Sequence, residues 1–221
     1  MNRIATNPFT SNALKAARVL IASLTVFAGT PVVAGEPVAT ITAIRGEADV
    51  LPHGRDERHA AKPGMPLHVR DVVDTGALGR IRIQFADGSR LSLGSGSTFR
   101  ISRFRFDREA GTVDALLNVA RGFFRSVTGS LSLRRRTRVR TATATIGIRG
   151  TDFMGEATAT RTQAFVIDGA VIVSNSDPAV DGNVLLEPGE GTSVVSGQAP
   201  RPKGRWPQEK VERFRSLTNI E

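Results

Sequence analysis

The sequence predicts an all-β fold, either an antiparallel sandwich or a solenoid-like sheet, with one short helix at the C-terminus. The first observation is strict alternation in residues 80–85, where isoleucine and phenylalanine alternate with arginine and glutamine. A period of two is typical of a strand with one buried face. The second observation is the Asp87-Gly88 pair that follows, because both positions of a tight hairpin turn accept positive φ. No exact repeat period is present in the sequence, so the choice between sandwich and solenoid stays open.

Further strand and turn signals follow at short intervals along the chain. Residues 38–50 alternate, and the apolar run 165–173 contains a second Asp-Gly pair, which predicts a hairpin at residues 168–169. The Pro-Gly pair at residues 188–189 fits a type II turn. Residues 113–120 fit either a short helix or a strand. The residues expected to form the core are Phe85, Leu91, Leu93, Ile146, Ile148, Phe153, Val166 and Val171.

The C-terminal part is predicted to contain a linker and a helix. Residues 197–207 are rich in proline and glycine, which is typical of a connecting segment. Pro207 suits the first turn of a helix, and Val211 and Phe214 fall near one face of it. We therefore expect a helix over residues 208–221 that either packs on the domain or serves as a docking tail.

Residues 1–34 have the pattern of a secretory signal peptide. Three basic residues and no acidic residue precede the apolar run 19–33, and small residues suited to signal peptidase end the segment. The alternative is a retained membrane anchor. A spanning helix needs about 20 apolar residues, and this run is shorter, which favours cleavage. We expect cleavage after Ala34 and a periplasmic or secreted protein without a transmembrane segment.

Arginine is concentrated in one stretch of a basic chain. The protein has 30 Lys+Arg against 21 Asp+Glu, a net charge of +9. Residues 100–149 alone contain twelve arginines and three acids. If residues 131–141 form a strand, alternate arginines share one face at a spacing of about 6.6 Å. The candidate polyanion-binding residues are Arg134, Arg136, Arg138 and Arg140.

This row of arginines has two interpretations. It is either a solvated face that discourages edge-to-edge pairing, or a binding site whose anion relieves the repulsion between like charges. Acidic glycans and lipopolysaccharide phosphates are the expected envelope ligands, and nucleic acid is not expected because the chain carries an export signal. Arg135 points to the opposite side of the strand, where it needs an acidic partner or an exit to solvent.

The sequence carries no pattern typical of an enzyme. The only histidines, His53, His59 and His68, lack the spacing of a metal site, and no serine lies in a nucleophile elbow. We therefore expect no catalytic residue, no metal and no cofactor. The chain has no cysteine, so neither a disulfide nor a lipidated cysteine is expected.

Several segments together resemble the FecR domain, a family named after the ferric-citrate uptake regulator. They are residues 64–76, the hairpin 79–94, the motif TATATIGIRGTDF at 141–153, and the closing strands 167–173 and 186–189. The resemblance covers residues 38–196. It implies an extracytoplasmic β domain that senses a signal or relays it from an outer-membrane receptor to a cytoplasmic sigma factor.

The resemblance also marks residues that we expect to be structural. Gly150 would supply a backbone angle that other residues disfavour, Arg149 would pair with a nearby acid, and Phe153 would fill the core. The motif residues are Ile146, Gly147, Arg149, Gly150, Thr151, Asp152 and Phe153, with Asp87 and Gly88 in the hairpin.

Only eighteen residues precede the apolar run, fewer than the cytoplasmic anti-sigma segment of a full regulator needs. The resemblance therefore implies a stand-alone secreted form, a non-catalytic module for protein interaction or signal sensing at the cell envelope. The alternative is an envelope protein that binds a polyanion or an acidic glycan through the arginine-rich strand face.

The first testable prediction concerns export. The basic segment, the short apolar run and the Val-Val-Ala site predict a mature protein that begins at Gly35. N-terminal sequencing of the protein from a periplasmic or culture fraction should find this residue first. Recovery of residues 19–33 in the membrane fraction would instead support the anchor.

Overall fold

The computed structural model describes residues 35–130 and 134–220. The predicted signal peptide, residues 1–34, lies outside the described residues, as do residues 131–133 of the predicted arginine strand. Within the two described ranges, no helix is long and apolar enough to span a membrane.

The described residues form a mostly β structure with one helix, which confirms the predicted fold class. The elements are β1 (Ala39–Arg45), β2 (Ala48–Leu51), β3 (His59–Ala60), β4 (Pro66–Leu67), β5 (Val72–Thr75), β6 (Arg80–Phe85), β7 (Arg90–Leu93), β8 (Thr98–Asp107), β9 (Thr112–Val127), β10 (Arg134–Arg140), β11 (Ala144–Ala157), β12 (Arg161–Asn175), β13 (Asn183–Leu186), β14 (Glu190–Val195), β15 (Gly204–Arg205) and α1 (Gln208–Thr218).

The strands belong to one continuous hydrogen-bonded sheet rather than to two separate sheets. The main order is β15-β14-β12-β11-β10-β9-β7-β6-β1-β4, and β8, β5, β2 and β3 branch from β9. Among the described pairs, β9 and β10 run parallel while the others are antiparallel. The predicted antiparallel arrangement is therefore corrected at this pair, and the sheet is mixed.

The long strand β9 bends back on itself. Its sixteen residues would extend about 50 Å if straight. The strand β10 begins after only six further residues, which span at most about 25 Å, yet it pairs with the first residues of β9. Gly122 provides a bend, because its φ is +99° and a Cβ there would lie 2.1 Å from Ser97 Oγ. As a result, Leu117 of the first half and Ser126 of the second half line the same small internal cavity.

The first half of β9 resolves the ambiguity at residues 113–120, which form a strand. Val113, Ala115, Leu117 and Val119 are buried and alternate with more exposed residues. Alanine and leucine favour helices in isolation. Hydrogen bonding to β8 on one side and β10 on the other overrides this preference.

The two predicted Asp-Gly hairpins have different outcomes. Asp87-Gly88 joins β6 to β7 as predicted, with Gly88 at φ +80°. The hairpin predicted at residues 168–169 is wrong, because β12 continues through it and pairs with β11 on both sides. Gly169, at φ +80°, lies in an irregularity of this pairing, where a Cβ would be 2.1 Å from the carbonyl oxygen of Gly150. The same sequence signal therefore marks a turn in one place and a close contact between two bulged strands in the other.

The interior contains every residue that the sequence predicts to be in the core. Phe153 is fully buried, and its ring packs edge-on against Phe124 at a centroid distance of 5.9 Å. The confirmed core residues are Phe85, Leu91, Leu93, Ile146, Ile148, Phe153, Val166 and Val171.

The C-terminal segment is docked on the sheet. Trp206, in the segment expected to be a linker, stacks on Phe165 at 5.1 Å and contacts Phe214 of α1 at 5.0 Å. Phe214 is buried and also lies edge-on to Phe123. Within the same linker, Gly204–Arg205 forms the short strand β15 beside β14. These contacts favour the packed helix over the free docking tail.

A buried ion pair attaches β10 to the first hairpin. Arg135 Nη1 donates to Asp87 at 2.8 Å, and the two side chains are 9% and 2% exposed. Asp87 also accepts hydrogen bonds from the backbone and the hydroxyl of Ser89. Arg135 further donates to the carbonyl oxygen of Gly129. The acidic partner that the sequence requires for Arg135 is thus the aspartate of the Asp-Gly turn.

Truncation of Phe153 tests the core. Phe153→Ala should lower the free energy of unfolding by about 3–5 kcal/mol, because it leaves a cavity in a fully buried site. Leu78→Ala is a suitable control, since Leu78 is 84% exposed and a change there should stay within about 0.5 kcal/mol. Urea denaturation measures both values. Equal losses for the two variants would contradict the assignment of Phe153 to the core.

Truncation of Arg135 tests the ion pair. Arg135→Ala should cost about 3–5 kcal/mol, because it leaves Asp87 buried and unpaired. The neighbouring Arg136→Ala is the matched control and should cost no more than about 0.5 kcal/mol. The double variant Asp87→Ala/Arg135→Ala should be less destabilised than the two single losses added together. Strict additivity would show that the pair is not coupled.

Candidate binding surface

The family-like motif forms the point at which β11 changes its neighbour. Ile148 of β11 pairs with β10, whereas Asp152 pairs with β9, and the register shifts between them. Gly150 adopts φ +61°, which glycine tolerates best. Thr151 and Thr128 exchange hydrogen bonds, one from each backbone NH, at 2.9 and 2.8 Å. This part of the motif therefore shapes the backbone where β11 changes its neighbour.

The arginine that pairs within the motif is not the one expected. Arg149 is exposed and forms no ion pair with a described residue, so the predicted Arg149–acid pair is wrong. Arg125 of β9 instead holds Asp152 with two hydrogen bonds of 2.9 and 2.6 Å. These bonds raise the pKa of the Arg125 guanidinium. The bulge explains the difference, because it moves Asp152 from the neighbourhood of β10 to that of β9.

The four candidate arginines of β10 are exposed. Arg134, Arg136, Arg138 and Arg140 alternate with the more buried Arg135, Thr137 and Val139. The four residues define a surface that we call the arginine face. In the part of the chain that the structure describes, none of the four forms a salt bridge. The acid next to Arg136 in register, Asp114, pairs instead with Arg103 of β8 at 3.1 Å.

An apolar patch lies on the same side of the sheet as the arginine face. Arg138 is opposite Gly147 in register, Gly147 is opposite Ile172, and Ile172 is opposite Leu185. Directly opposite residues in a sheet point to the same side. Ile172 and Leu185 are 52% and 48% exposed, and we call them the apolar pair. The sequence did not single them out, because isolated apolar residues in strands normally indicate the core.

Gly147 connects the arginine face to the apolar pair. A Cβ at Gly147 would meet only the carbonyl oxygen of Ile172, at 3.8 Å. This glycine is therefore not required by packing, in contrast to Gly169 of β12, where a Cβ would meet the Gly150 carbonyl oxygen at 2.1 Å. Its effect is to leave the surface flat between Arg138 and Ile172.

The histidines do not assemble a metal site. His53 and His68 meet at Asp71, whose carboxylate accepts hydrogen bonds from both backbone NH groups at 2.9 and 2.7 Å. His59 lies in the exposed strand β3. Within residues 35–130 and 134–220, no three histidines or acids are grouped so as to hold a metal ion.

Comparison with known proteins places the central segment in a family. Residues 71–172 match the family model described as FecR protein. This range contains the Asp87-Gly88 turn, the arginine strand β10 and the Gly150 bulge. No curated protein matches the chain.

Two solved structures share the fold. Both are crystal structures of a candidate anti-sigma factor from Parabacteroides distasonis, at 1.65 and 2.50 Å resolution, with TM-scores of 0.50 and 0.51. In each case the identity is 18%, and the match covers 65% of this chain and 63% of the other. The chain thus spans less than two thirds of the length of these relatives. From the family match, with the fold in agreement, residues 71–172 are a FecR domain.

Proposed function

We propose that this FecR domain is a non-catalytic signalling module at the cell envelope, and that it binds a partner protein through the arginine face and the apolar pair. The observation that carries the proposal is an exposed file of arginines beside two exposed apolar side chains on one side of a sheet. The family supports a regulatory role. The predicted signal peptide supports a periplasmic or secreted location.

The composition of the surface favours a protein partner with acidic residues. Interfaces are enriched in arginine, which forms bidentate contacts with carboxylates and packs against apolar side chains. Successive arginines of β10 lie about 6.6 Å apart and repel one another. An acidic surface would relieve this repulsion, while burial of Ile172 and Leu185 would add about 25 cal/mol for each Å² removed from water. The flat position at Gly147 allows one partner to reach both parts.

The second candidate is a polyanion such as an acidic glycan or lipopolysaccharide phosphate. The lack of ion pairs along the arginine face, within the described residues, favours it specifically. The two candidates differ in what they require of the apolar pair. A polyanion needs only the arginines, whereas a protein partner also buries Ile172 and Leu185.

Site-specific photocrosslinking in living cells tests the main proposal. A crosslinking residue at Ile172 or Arg138 should give a protein adduct, because both positions lie on the proposed interface. The same residue at Leu78, which is 84% exposed, is the control and should give no adduct. Gly147→Glu should abolish the adduct without loss of stability, since its side chain enters open space but reverses the local charge. Adducts of equal strength at all three positions, or none at Ile172 and Arg138, would refute the proposal.

Paired substitutions separate the two candidates. Replacing the four arginines of the arginine face by serine should abolish retention on an anionic matrix, and retention of the native protein should fall as salt screens the charges. Ile172→Ser/Leu185→Ser should leave that retention unchanged but abolish the protein adduct from a crosslinking residue at Arg138. If the variant with four serines still forms the protein adduct and loses only its retention on the anionic matrix, the arginine face is a polyanion site.

A further inference from the structure

A groove lies at one end of the arginine face and shares only Arg140 with it. Two clefts lie side by side, because both have Val72 and Arg100 in their walls, and we call them together the groove. Their volumes are about 420 and 440 Å³, which is within the usual range of ligand sites. Arg55 and Arg70 line the first cleft, and Arg140 lines the second.

The register of five strands fixes the groove. Leu51, Val72, Arg100, Asn118 and Arg140 follow one another as directly opposite residues on β2, β5, β8, β9 and β10. Neighbouring strands are about 4.8 Å apart, so Arg100 and Arg140 are separated by roughly 10 Å with Asn118 between them. This row suits an extended ligand that lies across the strands.

The groove is positively charged, and its charges are not neutralised by the described residues. Arg55, Arg100 and Arg140 have no salt bridge there, and Arg70 contacts His53 Nε2 at 3.2 Å. Asp71, which follows Arg70 in the chain, is 3% exposed, and its carboxylate accepts hydrogen bonds from the backbone NH groups of His53 and His68. The exposed acids Asp56 and Glu57 follow Arg55 in the loop between β2 and β3.

The backbone of Arg70 is held in a strained conformation. Its φ is +75°, the only positive φ of a non-glycine residue in the described ranges. The surrounding structure holds this angle, because the Arg70 NH donates to the Ile101 carbonyl at 2.6 Å and the Asp71 carboxylate accepts a hydrogen bond from the His68 NH at 2.7 Å. Strain of this kind persists where a side chain must be positioned. Here it places the Arg70 side chain in the wall of the first cleft.

An unsatisfied amide atom lies in the middle of the row. Asn118 Nδ2 donates to Ser102 Oγ at 2.7 Å, while its Oδ1 is buried and has no hydrogen-bond partner among the described residues. A buried acceptor without a partner is unfavourable. Asn118 lines the second cleft, so rotation of its side chain would turn this atom into the cleft. A ligand hydroxyl would satisfy it there in either orientation of the amide, because a hydroxyl both donates and accepts. A carboxylate or phosphate oxygen offers no proton to Oδ1.

We propose that this groove is a second binding site and that it takes an acidic oligosaccharide of the uronate type. Carboxylates of the ligand would contact Arg70, Arg100 and Arg140, and a sugar hydroxyl would contact Asn118. We infer carboxylates on the ligand because the guanidinium groups are spaced along the groove. We infer a hydroxyl because the Asn118 amide has an unsatisfied atom. The site shares only Arg140 with the proposed protein interface, and its test uses Arg70, Arg100 and Asn118, so a negative result for one proposal does not decide the other.

Calorimetry with the purified protein and a galacturonate hexamer tests the site. Arg70→Gly/Arg100→Ser should weaken binding by about tenfold or more, because it removes two charged contacts. Arg134→Ser/Arg136→Ser removes the same charge from the arginine face and should change affinity by less than about threefold. Equal weakening by the two variants would overturn the proposal in favour of general charge attraction. No measurable binding of the hexamer would also overturn it.

Three further measurements keep the test independent of folding and of charge. Arg70→Gly alone should leave Tm unchanged or higher, since glycine accepts φ +75°, yet it should weaken binding. Asn118→Ala should weaken binding of the hexamer severalfold but leave binding of a polyphosphate of equal charge unchanged. A polyphosphate that binds as tightly as the hexamer, with no effect of Asn118→Ala on either, would refute recognition of a sugar. A neutral glucan hexamer should not bind, and its binding would refute the role of the arginines.

Discussion

The buried ion pair between Asp87 and Arg135 fixes which side of the sheet carries the arginines of β10. Side chains alternate along a strand, so an interior Arg135 directs Arg134 and Arg136 to the solvent. A slip of one residue would carry four guanidinium groups inward, where unpaired charges are strongly unfavourable. Because Asp87 belongs to the β6–β7 turn, one contact joins the first hairpin to the middle of the sheet. The exposed arginine face and the position of β10 both depend on it.

The bulge at Gly150 determines which strand lies on the other side of β10. Before the bulge, β11 pairs with β10 and contributes the flat position Gly147 to the exposed surface. After the bulge, β11 pairs with β9 and places Phe153 in the core. The close approach of Gly150 and Gly169 lets β12 follow β11 through the same irregularity. The FecR motif therefore shapes the proposed binding surface mainly through the backbone rather than through its own side chains.

Arg140 is the residue at which the two proposed sites meet. It ends the arginine face and also lines the groove with Arg100. A ligand in the groove would neutralise Arg140 and reduce the attraction between the arginine face and an acidic partner. By linkage, a bound partner would reduce the affinity of the groove to the same extent. The shared arginine thus gives a physical basis for a sensing module whose ligand alters its partner binding.

The sequence by itself determined the strand pattern, the core positions and the exposure of alternate arginines, because each follows from side-chain periodicity along one strand. It also indicated the Asp87-Gly88 turn, whose glycine requires positive φ. Contacts between distant strands decided the rest. The pairing of Asp152 with Arg125, the uninterrupted course of β12 through Gly169, and the parallel β9–β10 pair all depend on which strands become neighbours. The groove was likewise hidden from the sequence, since Leu51, Val72, Arg100, Asn118 and Arg140 come from five strands and become one row only through the register of the sheet.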